Sequence, residues 1–142
     1  VFLATGQPLD DEMTERIRRH RNSREADWKT VEEPVELASW FSQNQREYRT
    51  VLLDCLTLWL SNLCGRGLAD SDIFKLTDEL LQAMRKTRAR IVIVTNELGL
   101  GLVPMDAESR RFRDLAGQVN QQCAREADEV HLVISGLCTR MK

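Results

Sequence analysis

Apolar residues in this chain fall into two kinds of run. Short, nearly continuous runs occupy about residues 1–5 (VFLAT), 50–54 (TVLLD), 90–95 (RIVIVT) and 129–135 (EVHLVIS). Their length predicts strands, and the continuous apolar character of three of them predicts a sheet covered on both faces. Between them the spacing changes to threes and fours. Residues 10–22 begin at an Asp10 cap and align Met13, Ile17 and His20 on one helical face. A second helix is predicted over 34–46, with Pro34 in its first turn. Helices over 71–88 (Ile73, Leu76, Leu80, Leu81, Met84) and 107–126 (Phe112, Leu115, Val119, Cys123) complete the set. Strands alternating with helices predict an α/β fold, a parallel sheet with right-handed crossovers, built as a single domain over 1–142. The stretch from Gly65 to Ser71 reads as a surface loop.

Parallel sheets bind ligands beyond the carboxyl ends of their strands. The rule selects Ala4-Thr5-Gly6, Asp54, Asn96-Glu97 and Ser135-Gly136. Asp54 ends an apolar strand, where nucleotide-binding proteins place an acid that holds magnesium or a water near the phosphates; a helix-capping aspartate gives the same pattern. Glu97 in TNE adds a second carboxylate, with a metal or a substrate as its candidate contact. GLGLVP at 99–104 lacks the GxGxxG spacing, so its glycines serve either a mobile loop beside the site or a simple turn. A phosphate loop of the form GxxxxGK[ST] is missing from these residues, because none of Lys29, Lys75, Lys86 and Lys142 follows a glycine.

Charge changes the picture locally. The formal net charge is −2, so any basic site must be concentrated, and it is: RIRRHRNSR at 16–24 packs five arginines around His20. One reading makes His20 a boundary histidine on a solvated helix. The other makes it a nucleophile: the flanking cations disfavour the imidazolium, attract a triphosphate and stabilise charge building on phosphorus. A nucleic-acid patch is a third use of the arginines, opposed by the acidic balance and by DDE at 10–12. His131 reads as structural. The four cysteines, at 55, 64, 123 and 138, form no CxxC pair and predict buried free thiols in a reducing compartment. With no membrane-length apolar run and no signal layout, a cytoplasmic protein is expected. A strand at the first residue, with no initiator methionine, predicts a preceding segment.

Taken together, five stretches resemble one family: AT-x-Q-x-x-DDEM-x-x-RI-x-x-H at 4–20, W-K-T-x-E at 28–32, LLDCLTLWLSNL at 52–63, TNE-x-G-x-G-x-VP at 95–104, and RRFRDLAGQVNQ followed by ADEVHLVISG at 110–136. The chain is similar throughout its length to the bifunctional adenosylcobinamide kinases / adenosylcobinamide-phosphate guanylyltransferases of cobalamin biosynthesis. The resemblance implies a P-loop-NTPase-like parallel sheet whose first strand–phosphate-loop–helix unit is absent here, VFLAT matching the family's second strand. It implies that His20 is guanylylated as a covalent intermediate. It also implies that Ala4, Thr5, Gly6, Arg21, Asn22, Ser23, Arg24, Glu32 and Asp54 contact nucleotide. Expected with it are GTP and ATP as substrates, Mg2+ held by Asp54, the corrinoid adenosylcobinamide and its phosphate as partners, no nucleic acid, and a homo-oligomer, a trimer by resemblance. The competing expectation is a catalytically incomplete nucleotide-binding remnant of that family.

Overall fold

A computed structural model describes residues 1–22 and 27–142; Ser23 and Arg24 lie outside them. The chain forms two compact units, Val1–Asn96 and Glu97–Lys142.

The first unit is a four-stranded, wholly parallel sheet with helices, in the order β2-β1-β3-β4. Its strands are β1 (Phe2–Ala4), β2 (Thr30–Glu32), β3 (Thr50–Asp54) and β4 (Arg90–Val94). The helices are α1 (Asp11–Asn22), α2 (Leu37–Gln43), α3 (Leu56–Gly65) and α4 (Asp70–Arg85). This is the predicted α/β class. None of the helices among the described residues is long and apolar enough to cross a membrane.

The core lies on one sheet face. Leu3, Val51 and Leu53 are buried there, with Leu3 in register with Leu53, and Leu53 with Ile93. Helices α2, α3 and α4 add Leu37, Phe41, Leu56, Trp59, Leu60, Leu63, Ile73 and Leu80, all at 1% exposure or less. The opposite face is covered less closely than the apolar runs predict: Val92 and Val94 are 38% and 40% exposed. An apolar run signals that a face favours cover without specifying the segment that supplies it.

Helix boundaries follow local chemistry. The Asp10 carboxylate accepts from Met13 N at 2.7 Å, the N-cap read from sequence. The second helix is shorter than predicted: Pro34 precedes it, in a turn held by the Glu33 carboxylate, which accepts from Val35 N and Glu36 N. Helix α3 and strand β2 are additions to the predicted set. Trp59 is buried in α3, and its Nε1 donates to Val35 O at 2.9 Å.

The second unit contains a single 3-10 turn (Leu98–Leu100), α5 (Ala107–Glu126) and a hairpin of β5 (His131–Ile134) and β6 (Leu137–Arg140). Helix α5 begins at Asp106, whose carboxylate accepts from Ser109 N at 2.7 Å. Its C-terminal carbonyls Ala124, Arg125 and Ala127 accept from Lys142 Nζ at 3.2, 3.0 and 2.7 Å, a cation at the negative end of the helix dipole. The hairpin corrects the sequence reading of 129–135 as a further parallel strand. β5 pairs antiparallel with β6, and Ser135-Gly136 are the two turn residues, with φ of 52° and 77°. Positive φ at both positions matches the twist of a two-residue hairpin, so they do not follow a parallel strand.

All four cysteines are free, as expected, but their burial differs: Cys55 is buried, Cys64 and Cys123 are intermediate, and Cys138 is exposed. Burial pushes the Cys123 thiol up to about 11.

Candidate active site

The register of the first unit brings three predicted residues into one row. Ala4 pairs with Glu32 on one side and Asp54 on the other, and Asp54 with Val94, so Glu32, Ala4, Asp54 and Val94 line the carboxyl edge of the sheet in that order. At ~4.8 Å per strand, the Glu32 and Asp54 backbones stand roughly 10 Å apart. Asp54 is half-buried and Glu32 exposed.

Thr5 fixes the centre of that row. It is fully buried; its hydroxyl donates to Cys55 O at 2.7 Å and accepts from Cys55 N at 3.0 Å. Thr5 N also donates to Asp54 O at 3.1 Å. The hydroxyl and the N–H are thus both committed to joining the ends of β1 and β3. Asn62, which the sequence did not single out, clamps the same place from α3: its Nδ2 donates to Thr5 O at 2.8 Å and Pro34 O at 2.9 Å. The local signal for Asn62 was a polar pair, Ser61-Asn62, inside an otherwise largely apolar run.

Helix α1 carries the basic stretch to this edge. Ile17 and Leu58 both come within van der Waals contact of the position a Gly6 Cβ would take, 3.6 Å from each, so α1 seats over the turn after β1. At the far end of the helix, the Arg21 guanidinium pairs with the Glu32 carboxylate. Both groups are more than half exposed, and such pairs contribute at most about 1 kcal/mol. The contact therefore fixes where the helix ends rather than supporting the fold. His20 is exposed, and it shares a shallow recess with Glu12, Arg16 and Arg19. Helix α1 has no buried residue; Met13 and Ile17, on the face predicted to include His20, are half-buried with Glu15, while His20 itself is exposed. Glu15 takes up two of the arginines, Arg18 through paired 2.7 Å bonds and Arg19 at 3.3 Å; the Arg18 bonds hold its carboxyl below the usual range.

The structure therefore gathers Ala4, Thr5, Gly6, Arg21, Glu32 and Asp54 along one edge, with His20 and Asn22 at the end of the helix that reaches it. Glu97 belongs to the second unit, where its carboxylate accepts from Gly99 N at 2.8 Å and caps the 3-10 turn. A Cβ on Gly99 would lie 2.6 Å from that carboxylate oxygen, so a side chain there would push the flexible Glu97 carboxylate aside. GLGLVP is, at this point, a built turn. His131 bridges Glu129 at 3.0 Å and Cys138 at 3.4 Å on the hairpin, consistent with the structural reading.

Among the described residues no cluster of three or more His, Cys, Asp or Glu could hold a metal ion by itself. The donor set does fit an ion carried largely by phosphates and water. Mg2+ takes one or two protein carboxylates in such sites, and Asp54 offers one beside the row while Glu32 is engaged by Arg21.

A family model for cobinamide kinase / cobinamide phosphate guanyltransferase, CobU, matches residues 1–141. The chain belongs to this family. Relatives agree over essentially the whole length. The chain is 38% identical to the bifunctional adenosylcobalamin biosynthesis protein CobU of Escherichia coli over 154 aligned positions, covering 100% of this chain and 85% of that protein. To CobP of Pseudomonas aeruginosa, of the same description, it is 40% identical, covering 99% of this chain and 81% of that one. In this CobU-family chain, the motifs behind the resemblance coincide with the elements that build the edge: 4–20 with β1 and α1, 28–32 with β2, and 52–63 with β3 and α3.

Proposed function

We propose that this chain acts in cobalamin biosynthesis, transferring GMP from GTP to adenosylcobinamide phosphate through a covalent intermediate on His20, as part of a protein that also phosphorylates adenosylcobinamide from a nucleoside triphosphate. The observation that carries the reading is the position of His20. It is solvent-accessible, beside Arg16 and Arg19, at the end of a helix whose Arg21 meets the carboxyl edge of a parallel sheet.

In the first step a ring nitrogen of His20 attacks the α-phosphorus of GTP. A P–N bond forms, the α–β P–O bond breaks, pyrophosphate leaves with the electron pair, and the ring proton passes to solvent. In the second, a phosphate oxygen of adenosylcobinamide phosphate attacks the same phosphorus, the P–N bond breaks with its electron pair returning to the ring, the ring regains a proton from solvent, and adenosylcobinamide-GDP is released. Splitting one transfer into two is the gain of nucleophilic catalysis. Arg16 and Arg19 supply fixed positive charge where negative charge accumulates. The backbone after β1, at Ala4, Thr5 and Gly6, lines the nucleotide; Arg21 and Asn22 flank it, and Glu32 orients Arg21. Ser23 and Arg24 belong to the same proposed run. Asp54 would hold Mg2+, which compensates triphosphate charge when bound. The protein is expected in the cytoplasm, as a homo-oligomer with no nucleic-acid partner.

The test is mass spectrometry of the intact full-length protein after incubation with GTP. The parent gains one GMP and His20→Ala gains none; an adduct that persists in His20→Ala refutes the assignment. The 142 residues taken by themselves are expected not to phosphorylate adenosylcobinamide, because they hold no phosphate loop of the form GxxxxGK[ST]. Phosphorylation by the purified chain would remove the requirement for that loop.

A further inference from the structure

The second unit displays apolar side chains in an unusual way. Leu100, Leu102, Val103 and Met105 are 70%, 95%, 69% and 97% exposed within six residues. Clustered exposure of this kind marks an interaction site. The segment is not slack. Its backbone is tied to α5 at three carbonyls: Arg113 Nη2 donates to Gly99 O at 2.7 Å, and Arg110 Nη1 to Pro104 O at 3.0 Å and Met105 O at 2.6 Å. Two arginines thus hold the main chain while the large side chains face solvent.

Beside it lies a polar recess. Glu97 and Gly99 form one wall; Asp114, Gln118 and Gln121, one helical turn apart along α5, form the other. Gly117 keeps the helix surface low between them, since a Cβ there would meet nothing within 4 Å. Arg113 also lines the recess, and its Nη1 is a buried donor without a partner.

We infer that this surface docks the corrinoid substrate, an inference that rests on the cobinamide reading above. A corrin macrocycle presents an apolar, methyl-rich face and a periphery of carboxamides. The apolar face fits against Leu102 and Met105. The carboxamides match Gln118, Gln121 and Asp114, which offer both donors and acceptors. An apolar patch alone would suit many partners; the adjoining amide-matched recess selects a ligand that carries both surfaces on one rigid ring.

The experiment is equilibrium dialysis of dicyanocobinamide against the full-length protein, with GMP-adduct formation from GTP alone measured in parallel. Leu102→Ser/Met105→Ser and Gln118→Ala/Gln121→Ala are each expected to weaken cobinamide binding roughly tenfold or more. The adduct from GTP is expected to form as in the parent, which also shows that the variants fold. Cobinamide affinity within about twofold of the parent in both variants overturns the docking site. So does a variant whose oligomeric size changes while its affinity does not, because the patch then faces a second copy of the chain. A parent that binds no cobinamide and forms no GMP adduct overturns the functional reading itself, a result distinct from either.

Discussion

Replacing Thr5 by valine keeps the side chain's shape and its preference for extended backbone while removing one hydroxyl. The loss is unequal on the two sides of that oxygen. Cys55 O keeps a second donor, Trp59 N at 3.2 Å, so it loses only one of two bonds. Cys55 N donates to Thr5 Oγ1 at 3.0 Å and is left buried without an acceptor. An orphaned buried N–H costs about 1–3 kcal/mol and the lost second bond about 1 kcal/mol, so Thr5→Val is expected to destabilise by about 2–4 kcal/mol. Thr5→Ser keeps both bonds and removes one buried methyl, a loss of about 1 kcal/mol. Urea denaturation followed by circular dichroism measures both. A Thr5→Val variant within about 0.5 kcal/mol of the parent, or less destabilised than Thr5→Ser, refutes the claim that the hydroxyl holds β1 to β3.

Asn62→Ala releases the carbonyls of Thr5 and Pro34 together and is expected to lower stability by about 1–3 kcal/mol, read from the same urea transition. Trp59→Phe, which strips a buried indole N–H from Val35 O, is expected to cost about 1–2 kcal/mol in that assay. Alkylation with iodoacetamide at pH 7.5, mapped by peptide mass, is expected to label exposed Cys138 first and to spare Cys123, whose thiol is pushed up to about 11, and buried Cys55. Acid titration should expose the α5 cap: bonds from Ser109 hold the Asp106 carboxyl below its ordinary value, so its stabilisation is present above the unfolded value of 3.8 and fades as pH falls through the lower folded one. Asp106→Asn, still a capping residue, should lose that acid dependence with little change at pH 7, as seen by thermal melts across pH.

What could be read from the residues was what local chemistry fixes. Helix α5 runs over the predicted 107–126 because Asp106 caps it and its apolar residues recur at helical spacing. Helix α3 escaped because Leu56, Leu58, Trp59, Leu60 and Leu63 leave too little polar face for a period to show. Strand β2, three residues long, is shorter than any alternation that could announce it. The hairpin had its signal in Ser135-Gly136, but a continuous apolar run before it reads equally as a parallel strand. At the site, Asp54 and Ala4-Thr5-Gly6 followed from the carboxyl-edge rule. The Arg21–Glu32 pair and the reach of Asn62 to two carbonyls 57 and 28 residues away are through-space facts that no spacing encodes.

Helix α1 buries none of its side chains. The core therefore places almost no demand on which residues occupy positions 11–22, apart from the half-buried Met13, Glu15 and Ile17. A saturation library across this helix would separate two pressures that are usually entangled. Wherever an exposed position there refuses substitution under selection for cobalamin synthesis, the refusal reports a demand other than core packing. That makes α1 the part of the molecule where tolerance to change can be converted most directly into a map of chemical necessity.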